Sequence, residues 1–385
     1  MTDIRRVLDW LAGGALSGEQ SQDVLAELCE RMVACSIPLW RVAVFVTTLH
    51  PDVMGRRFLW QAESGVTTSD ALHDLTQTDD FKRSPFSTVY ATRVPLRRHL
   101  ADKDCAIDFD VLRDLLDQGG TDYAAFPLLF TDGSIHVATF ATQQPGGFSA
   151  AQFSNIESVI SPLARVAEIR ALRRTAGNLI DTYVGHQTGE RILAGKIRRG
   201  YVEAIRAAVW LSDMRGFTSL SERSPPQAVI ERLNIYFGCQ VPAILEHGGE
   251  VLKFMGDGLL AIFPIDGGQD AGAVCRRALE CARAFRGRIA ALPRGNDTDA
   301  IRFGLALHVG EVMYGNIGGG NRLDFTCIGP AVNLSARLEK VAAKLGEAVV
   351  ASAEFAGHCP GQFHSLGEHA VVGFTAPQPV FGMAD

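Results

Sequence analysis

The chain is poor in the features that mark exported, membrane-spanning and nucleic-acid-binding proteins. No uninterrupted apolar run approaches the ~20 residues that cross a bilayer, and the charged amino terminus lacks the apolar core of a signal peptide. The 8 cysteines show no CxxC spacing, so we interpret them as reduced core residues rather than as disulfides or zinc ligands. The net charge of −6 gives no indication of binding to nucleic acid or to an anionic membrane. We therefore expect a cytoplasmic protein with no membrane span and no nucleic-acid partner.

The length and composition predict more than one folded domain. A chain of 385 residues exceeds one ordinary core, and its 47% apolar and 21% charged residues suffice for two. The patterning changes along the chain and divides it into residues 1–155, a helical section at 156–200, and residues 201–385.

The last of these sections alternates between strand and helix patterns. Strands are predicted at residues 206–212, 250–254, 259–263 and 302–309, and helices at 226–247, at 271–290 and from 331 onward. The order β-α-β-β-α-β predicts a ferredoxin-like α+β sandwich.

The first section is predicted to be a sheet-centred α/β domain bracketed by helices. The predicted helices lie at residues 2–16, 20–36 and 108–118 and near 150, and the predicted strands at 41–48, 57–63, 123–130 and 134–141. This order of elements resembles a GAF-type sensor domain, and a PAS-like domain is the alternative.

The section at 156–200 carries an apolar stripe at intervals of three and four residues: Ile156, Val159, Leu163, Val166, Ile169 and Leu172. Such a stripe is typical of a helix packed on its own domain. A signalling helix that pairs two protomers is the alternative, because a second helical pattern follows at 181–194.

Two short segments each place one carboxylate at the end of an apolar run. Residues 211–218 read LSDMRGFT and contain Asp213, and residues 253–258 read KFMGDG and contain Asp257. Ser219 and Glu222 have the spacing of a capping box, which predicts a helix start, and a helix start favours bound phosphate. Either segment alone is also typical of an ordinary turn, so a functional interpretation needs a third segment.

That third segment covers residues 322–337, RLDFTCIGPAVNLSAR. The Gly-Pro pair predicts a turn leading into a helix. Its predicted buried face consists of Leu334, Leu338, Val341 and Leu345. Asn333 and Arg337 are four residues apart on another face, so one ligand can contact both side chains.

In this order, the three segments resemble the class III nucleotidyl cyclases, from about residue 191 to the carboxyl terminus. The resemblance implies that Asp213 and Asp257 bind two Mg²⁺ or Mn²⁺ ions. It implies that Lys253 and Asp324 read the base, and that this pair favours ATP over GTP. It also assigns the triphosphate to the backbone of Arg215, Gly216, Phe217 and Thr218, the ribose to Asn333, and the transition-state charge to Arg337.

The resemblance further implies a cyclase catalytic domain at residues 201–385, a head-to-tail homodimer and composite active sites. The expected reaction is ATP to 3′,5′-cyclic AMP and pyrophosphate. A catalytically silent nucleotide-binding module and a guanylate cyclase are the alternatives. One departure from the family is Val372, which occupies the place of a triphosphate-binding lysine; Arg322 or Lys344 could replace that cation.

Overall fold

The computed structural model describes residues 3–48, 53–72, 74, 78–265, 267–293, 300–319 and 322–384. The chain forms two compact units, Met1–Leu179 and Ile180–Asp385. A long helix, α6 (Ala150–Val184), begins in the first unit and ends just inside the second.

The first unit contains six strands and the helices that flank them. The strands are β1 (Arg41–Thr47), β2 (Val53–Gln61), β3 (Gly65–Leu72), β4 (Leu96–Arg98), β5 (Asp122–Leu129) and β6 (Ile135–Thr142). The helices before α6 are α1 (Ile4–Ala12), α2 (Ser21–Ala34), α3 (Asp79–Lys82), α4 (Pro85–Thr92) and α5 (Asp110–Asp117).

These strands form one sheet in the order β3-β2-β1-β6-β5-β4, and the neighbouring strands are antiparallel. Alternate residues of a strand point to opposite faces, so the sheet has two cores. Val42, Val44 and Val46 face a core with α1, α2 and α6. Tyr123 and Ala125 face the other core, which contains α4 and α5.

The second unit begins with α7 (His186–Leu193) and β7 (Val202–Met214). Its next elements are α8 (Phe217–Arg223), α9 (Pro226–Glu246), β8 (Glu250–Met255), β9 (Gly258–Ile265), α10 (Ala271–Ala290), β10 (Phe303–Gly319) and β11 (Arg322–Ile328). The chain continues with α11 (Pro330–Leu345), β12 (Val349–Ser352), α12 (Ala353–Gly357), β13 (Phe363–His369) and β14 (Gln378–Met383).

The second sheet has the order β13-β14-β12-β10-β7-β9-β8, and β11 pairs with β10. The segment β10-β7-β9-β8, crossed by α9 and α10, contains the predicted β-α-β-β-α-β sequence of elements. Its core is aromatic: the ring of Phe285 on α10 lies 6.0 Å from that of Trp210, 5.8 Å from that of Tyr236 and 4.5 Å from that of Phe303. This packing fixes β7, which leads directly to Asp213.

The predicted α+β character of the chain is confirmed, and the helix predicted at 271–290 has the predicted bounds. Other predictions were wrong in detail. The helix that was expected to open at Ser219 begins at Phe217, because Gly216 adopts a left-handed conformation with φ +76° and turns the chain earlier. The sequence pattern also missed β3, α4 and β4, which are short or mostly exposed and therefore lack a strong apolar period.

Two predicted helical segments differ from the structure in their bounds. The helix expected at 2–16 spans Ile4–Ala12, and residue 2 lies outside the described residues. The helical pattern expected at 181–194 divides between the end of α6 and α7, since Gly185 with φ +86° separates them.

The apolar stripe of α6 changes character along the helix. Ile156, Val159 and Leu163 are buried in the core of the first unit, as expected for a helix packed on its own domain. Ile169 and Leu172 are 49% and 62% exposed. The end of the stripe is thus uncovered in the single chain, and pairing through it stays a prediction.

The described cysteines agree with the expectation of free thiols. All eight are free, and six of them are buried: Cys29, Cys239, Cys275, Cys281, Cys327 and Cys359. Within the described residues, no helix is both long enough and apolar enough to span a bilayer.

Candidate active site

Strand pairing brings the two predicted metal-binding carboxylates together. Ser212 on β7 pairs with Leu259 on β9, so Asp213 lies beside the turn that joins β8 to β9. A Cβ atom on Gly258 would lie 3.0 Å from the Ser212 carbonyl oxygen and 3.6 Å from Asp213 Oδ1. Glycine at 258 therefore lets the turn carrying Asp257 approach Asp213 closely.

The two carboxylates repel each other, and neither has an ion-pair partner among the described residues. Partial burial raises the pKa of Asp257 to about 6, and both a hydrogen bond and like-charge repulsion from Asp213 add to the rise. The Met214 amide donates to Asp213 Oδ1 at 3.1 Å and orients that side chain. A divalent cation would relieve the repulsion, and hard carboxylate oxygens suit Mg²⁺ or Mn²⁺. In this respect the residues present fit the expected metals.

The segment after Asp213 turns sharply into a short helix. Gly216 forms the turn, Phe217 begins α8, and no side chain caps the helix. Phe217 packs against the core of the second unit, whereas Thr218 is exposed. Of the segment that was expected to hold a triphosphate, Gly216 and Thr218 are therefore exposed, and Arg215 and Phe217 are half-buried.

The Arg215 side chain has a partner that the sequence analysis did not foresee. Its Nη1 donates to Glu339 Oε1 of α11 at 2.6 Å, and its backbone amide donates to the Arg302 carbonyl at 2.9 Å. Glu339 is 6% exposed, and burial raises its pKa while Arg215 opposes the rise. A Cβ atom on Gly304 would collide with the Arg215 guanidinium, so that glycine leaves the room in which the ion pair forms.

Lys253 and Asp324, the predicted base-reading pair, line one cavity. It has a volume of about 680 Å³ and is bordered by β8, β11, the end of α9 and the segment before α7. Lys253 is half-buried and Asp324 is exposed. Arg322, one of the two candidate replacements for the missing lysine, lines the same cavity. The cavity thus offers a cationic donor and a carboxylate acceptor to one ligand.

Asn333 and Arg337 lie on α11, the helix that also carries Glu339. Asn333 is exposed and Arg337 is half-buried, and neither lines the cavity with Lys253. Among the described residues, neither side chain shares a hydrogen bond or an ion pair with the carboxylate pair. The predicted site residues of the single chain therefore fall into three groups: the carboxylate pair with the segment after Asp213, the cavity pair Lys253 and Asp324, and the pair on α11.

The place of the missing lysine is on the surface. Val372 is 75% exposed and follows β13, and Lys344 lies in the last turn of α11. The predicted buried face of α11 holds for Leu334, Leu338 and Val341, but Leu345 is 40% exposed because the helix ends there.

Two buried polar contacts near the carboxylates escaped the sequence analysis. Gln240 Nε2 on α9 donates to Ser212 Oγ at 2.6 Å, directly before Asp213, and both residues are fully buried. Glu339 follows Ser335 at a helical interval on the buried side of α11. The available signal for Glu339 was a charged residue directly beside Leu338 of the apolar period, since a charge that the helix buries needs a partner.

Comparison with known proteins relates the second unit to a known family. Residues 203–373 match the family model described as "Adenylate and Guanylate cyclase catalytic domain". An adenylate cyclase from Anabaena cylindrica is 34% identical over 157 residues, which make up 39% of this chain and 30% of that protein. Adenylate cyclase 1 from Rhizobium meliloti is 27% identical over 229 residues, or 56% of this chain and 33% of that protein.

Among solved structures, the adenylyl cyclase CyaB from P. aeruginosa matches with a TM-score of 0.41 and 27% identity, over 48% of this chain and 96% of that one. The matched part of the chain spans about a third of the curated relatives' own length. Residues 203–373 are thus similar to adenylate and guanylate cyclase catalytic domains.

The raised pKa of Asp257 predicts a pH-dependent stability of the metal-free protein. The folded state favours the protonated carboxyl, so this stabilisation is complete below the ordinary pKa near 3.8 and is lost as the pH rises through about 6. Asp257→Asn removes the repulsion at every pH. In EDTA, the melting temperature of this variant should exceed that of wild type at pH 7.5, and the difference should shrink at pH 5. A difference of the same size at both pH values would contradict the assignment.

The ion pair between Arg215 and Glu339 predicts strong coupling between these residues. Glu339→Leu alone leaves the partly buried Arg215 guanidinium without its carboxylate and should cost about 1–3 kcal/mol in the free energy of unfolding. The double variant Arg215→Met with Glu339→Leu should recover most of this loss, because an apolar pair of similar volume replaces the charges. Urea unfolding of the single and double variants measures the coupling. Additive losses would show that the two side chains do not interact.

Proposed function

We propose that this protein is an adenylate cyclase that converts ATP to 3′,5′-cyclic AMP and pyrophosphate. The observation that supports this most is the carboxylate pair of Asp213 and Asp257 within a cyclase catalytic domain. The cavity lined by Lys253 and Asp324 adds a place for the base.

In this proposal the carboxylate pair holds two divalent cations, either Mg²⁺ or Mn²⁺. When bound, the cations supply Lewis acidity for the ribose hydroxyl and neutralise charge on the phosphates. The chain itself would orient the triphosphate through the backbone of residues 215–218; the amides of Gly216, Phe217 and Thr218 would donate, since that of Arg215 already donates to the Arg302 carbonyl. The side chain of Arg215 contributes indirectly, because its bond to Glu339 holds that backbone in place.

Lys253 and Asp324 are proposed to select the base. Adenine offers N1 as an acceptor and its amino group as a donor, and these complement a lysine and a carboxylate. Guanine reverses part of that pattern. Both relatives named above are adenylate cyclases, which also favours ATP as the substrate.

Asn333 and Arg337 are proposed to act in the active site of a partner chain. Asn333 would orient the ribose, and Arg337 would stabilise charge on the α-phosphate. Within the described part of one chain, no hydrogen bond or ion pair joins them to the carboxylate pair, and a head-to-tail homodimer with two composite sites would supply them from the partner. Each site would then combine the carboxylates of one protomer with α11 and the base-reading pair of the other.

The first unit is proposed to be a GAF-like sensor domain. An antiparallel six-stranded sheet with helices packed on both faces supports this assignment. Its continuous connection to the catalytic domain through α6 provides a covalent route for regulation.

The activity can be tested by measuring pyrophosphate release from ATP and from GTP with Mn²⁺. We expect turnover of ATP in preference to GTP, and loss of at least 100-fold, on the order of 3 kcal/mol, in Asp257→Ala. Asp270→Ala is a matched control, because Asp270 caps α10 and lies outside the candidate site. A folded wild-type protein without turnover would indicate a silent module, and a preference for GTP would indicate a guanylate cyclase.

The composite site predicts that inactive variants complement each other. Co-expression of Asp213→Ala and Arg337→Ala chains produces heterodimers with one intact site. Random assortment makes half of the dimers mixed, so the recovered activity should be about a quarter of wild type. Co-expression of Asp213→Ala with Asp257→Ala is the control and should stay inactive, since both changes affect the same half of the site. Inactive, verified heterodimers of the first pair would place the whole site within one chain.

A further inference from the structure

The helical side of the first unit contains an apolar cavity that adjoins an arginine-lined one. The apolar cavity, of about 40 Å³, lies between α2, the sheet and α6. The second cavity, of about 430 Å³, is open to solvent. The two cavities share Ser21, Phe58, Arg170 and Arg174 in their walls and therefore adjoin.

The change from apolar to cationic follows the inner face of α6. Leu163, Val166 and Ala167 line the apolar cavity, and Ala171 continues the same face. From Arg170 onward the helix also carries cationic side chains. The open cavity is lined by four arginines, Arg56 from β2 and Arg170, Arg173 and Arg174 from α6.

These arginines differ in how far their donors are used. Arg170 is structural, because it donates to the backbone carbonyls of Ala15, Gly18 and Glu19. Arg56 pairs with Asp70 on the neighbouring strand, with a second contact at 2.9 Å.

Arg174 is half-buried and has donors to spare. Its Nη2 donates to Ser21 Oγ at 2.7 Å, and its guanidinium lies 5.4 Å from the centre of the Phe58 ring. A guanidinium has five donors, so most of those on Arg174 have no acceptor among the described residues. Desolvation lowers the pKa of Arg174, and repulsion from Arg56 adds to this effect.

Nearby acidic groups leave room for an added anion. Glu19 lines the open cavity, but it is an exposed side chain. Asp23 accepts from the Gln20 amide at 2.8 Å and so caps α2. Asp70 is engaged with Arg56. Arg173 and Arg174 therefore face the cavity without a dedicated carboxylate among the described residues.

We propose that this pair of cavities binds a small amphipathic carboxylate. Its carboxylate would accept from the guanidinium of Arg174, and its short apolar end would enter the cavity beneath Phe58. Arginine favours a carboxylate because its planar fork of donors matches two oxygens. The small apolar cavity limits the buried end to a few carbon atoms. The ligand would contact α6 and α2 together, on the opposite side of the sheet from α4 and α5.

Binding of straight-chain carboxylates to the full-length chain tests this proposal. Calorimetry with acetate, butyrate and hexanoate should show an affinity that rises about fourfold per buried methylene and then levels off once the cavity is filled. Inorganic phosphate should bind more weakly than hexanoate. Equal affinity for acetate and hexanoate, stronger binding of phosphate, or no carboxylate binding would each overturn the proposal.

Three variants assign the effect to the named residues. Arg174→Gln should weaken all carboxylates by about 10- to 100-fold, since it removes charge-assisted hydrogen bonds. Ala171→Met should fill the apolar cavity, so that acetate binds as before while the gain with chain length disappears. Arg57→Gln is the control, because Arg57 follows Arg56 on the opposite face of β2 and lines neither cavity.

Arg174→Lys keeps the charge and should retain part of the affinity. This result would show that misfolding does not cause the loss of carboxylate binding in Arg174→Gln. If Arg174→Gln and Arg57→Gln bind alike while both remain folded, the site is wrong. The measurement requires no cyclase activity, so its outcome is independent of the function proposed above.

Discussion

Repulsion between two carboxylates that strand pairing holds side by side is the constraint on which the catalytic domain depends. Asp213 lies near the end of β7 and Asp257 lies in the β8–β9 turn, and the register of β7 with β9 places that turn beside Asp213. The cost appears as the raised pKa of Asp257. Groups with strongly shifted pKa values are common at functional sites. Here the repulsion between the two carboxylates creates a site that favours a cation.

The surrounding structure fixes this unfavourable arrangement from several sides. Below the strand end, Gln240 bonds to Ser212 within a fully buried environment. The aromatic core around Phe285 holds β7 against α10. Beyond the carboxylates, the bond from Arg215 to Glu339 ties the turn to α11. These contacts involve Ser212 and Arg215, which flank Asp213, and the strand that carries them. Together they hold the chain on both sides of Asp213 in place.

The same ion pair has a consequence for a dimer of the proposed kind. Glu339 and Arg337 are two positions apart on α11, so they lie on different sides of the helix. Glu339 contacts the turn that would bind metal in one active site, whereas Arg337 would serve the other. A displacement of α11 would therefore affect both composite sites at once. Coupling between the sites would then follow from an ordinary buried ion pair.

Much of the catalytic domain was predictable from local sequence. The helical pattern at residues 271–290 predicted the bounds of α10 correctly. The order of strands and helices predicted an α+β fold. Asp213, Asp257, Lys253, Asp324, Asn333 and Arg337 were assigned roles through the family resemblance of their three segments, and those roles stay predictions. In the first unit, β3 and β4 were not predicted. Their apolar pattern is weak, because β3 is mostly exposed and β4 has only three residues.

Contacts between distant residues were decided by the tertiary structure alone. Arg215 and Glu339 are 124 positions apart, and Gly304, whose missing side chain leaves room for them, belongs to a third element. The capping pattern at Ser219 predicted a later start for α8 than the structure shows. The helix begins at Phe217 because Gly216 is left-handed. The sequence by itself determined which residues carry charge and where strands end. Strand register and helix packing determined which of those charges meet, because pairing depends on distances that no local pattern contains.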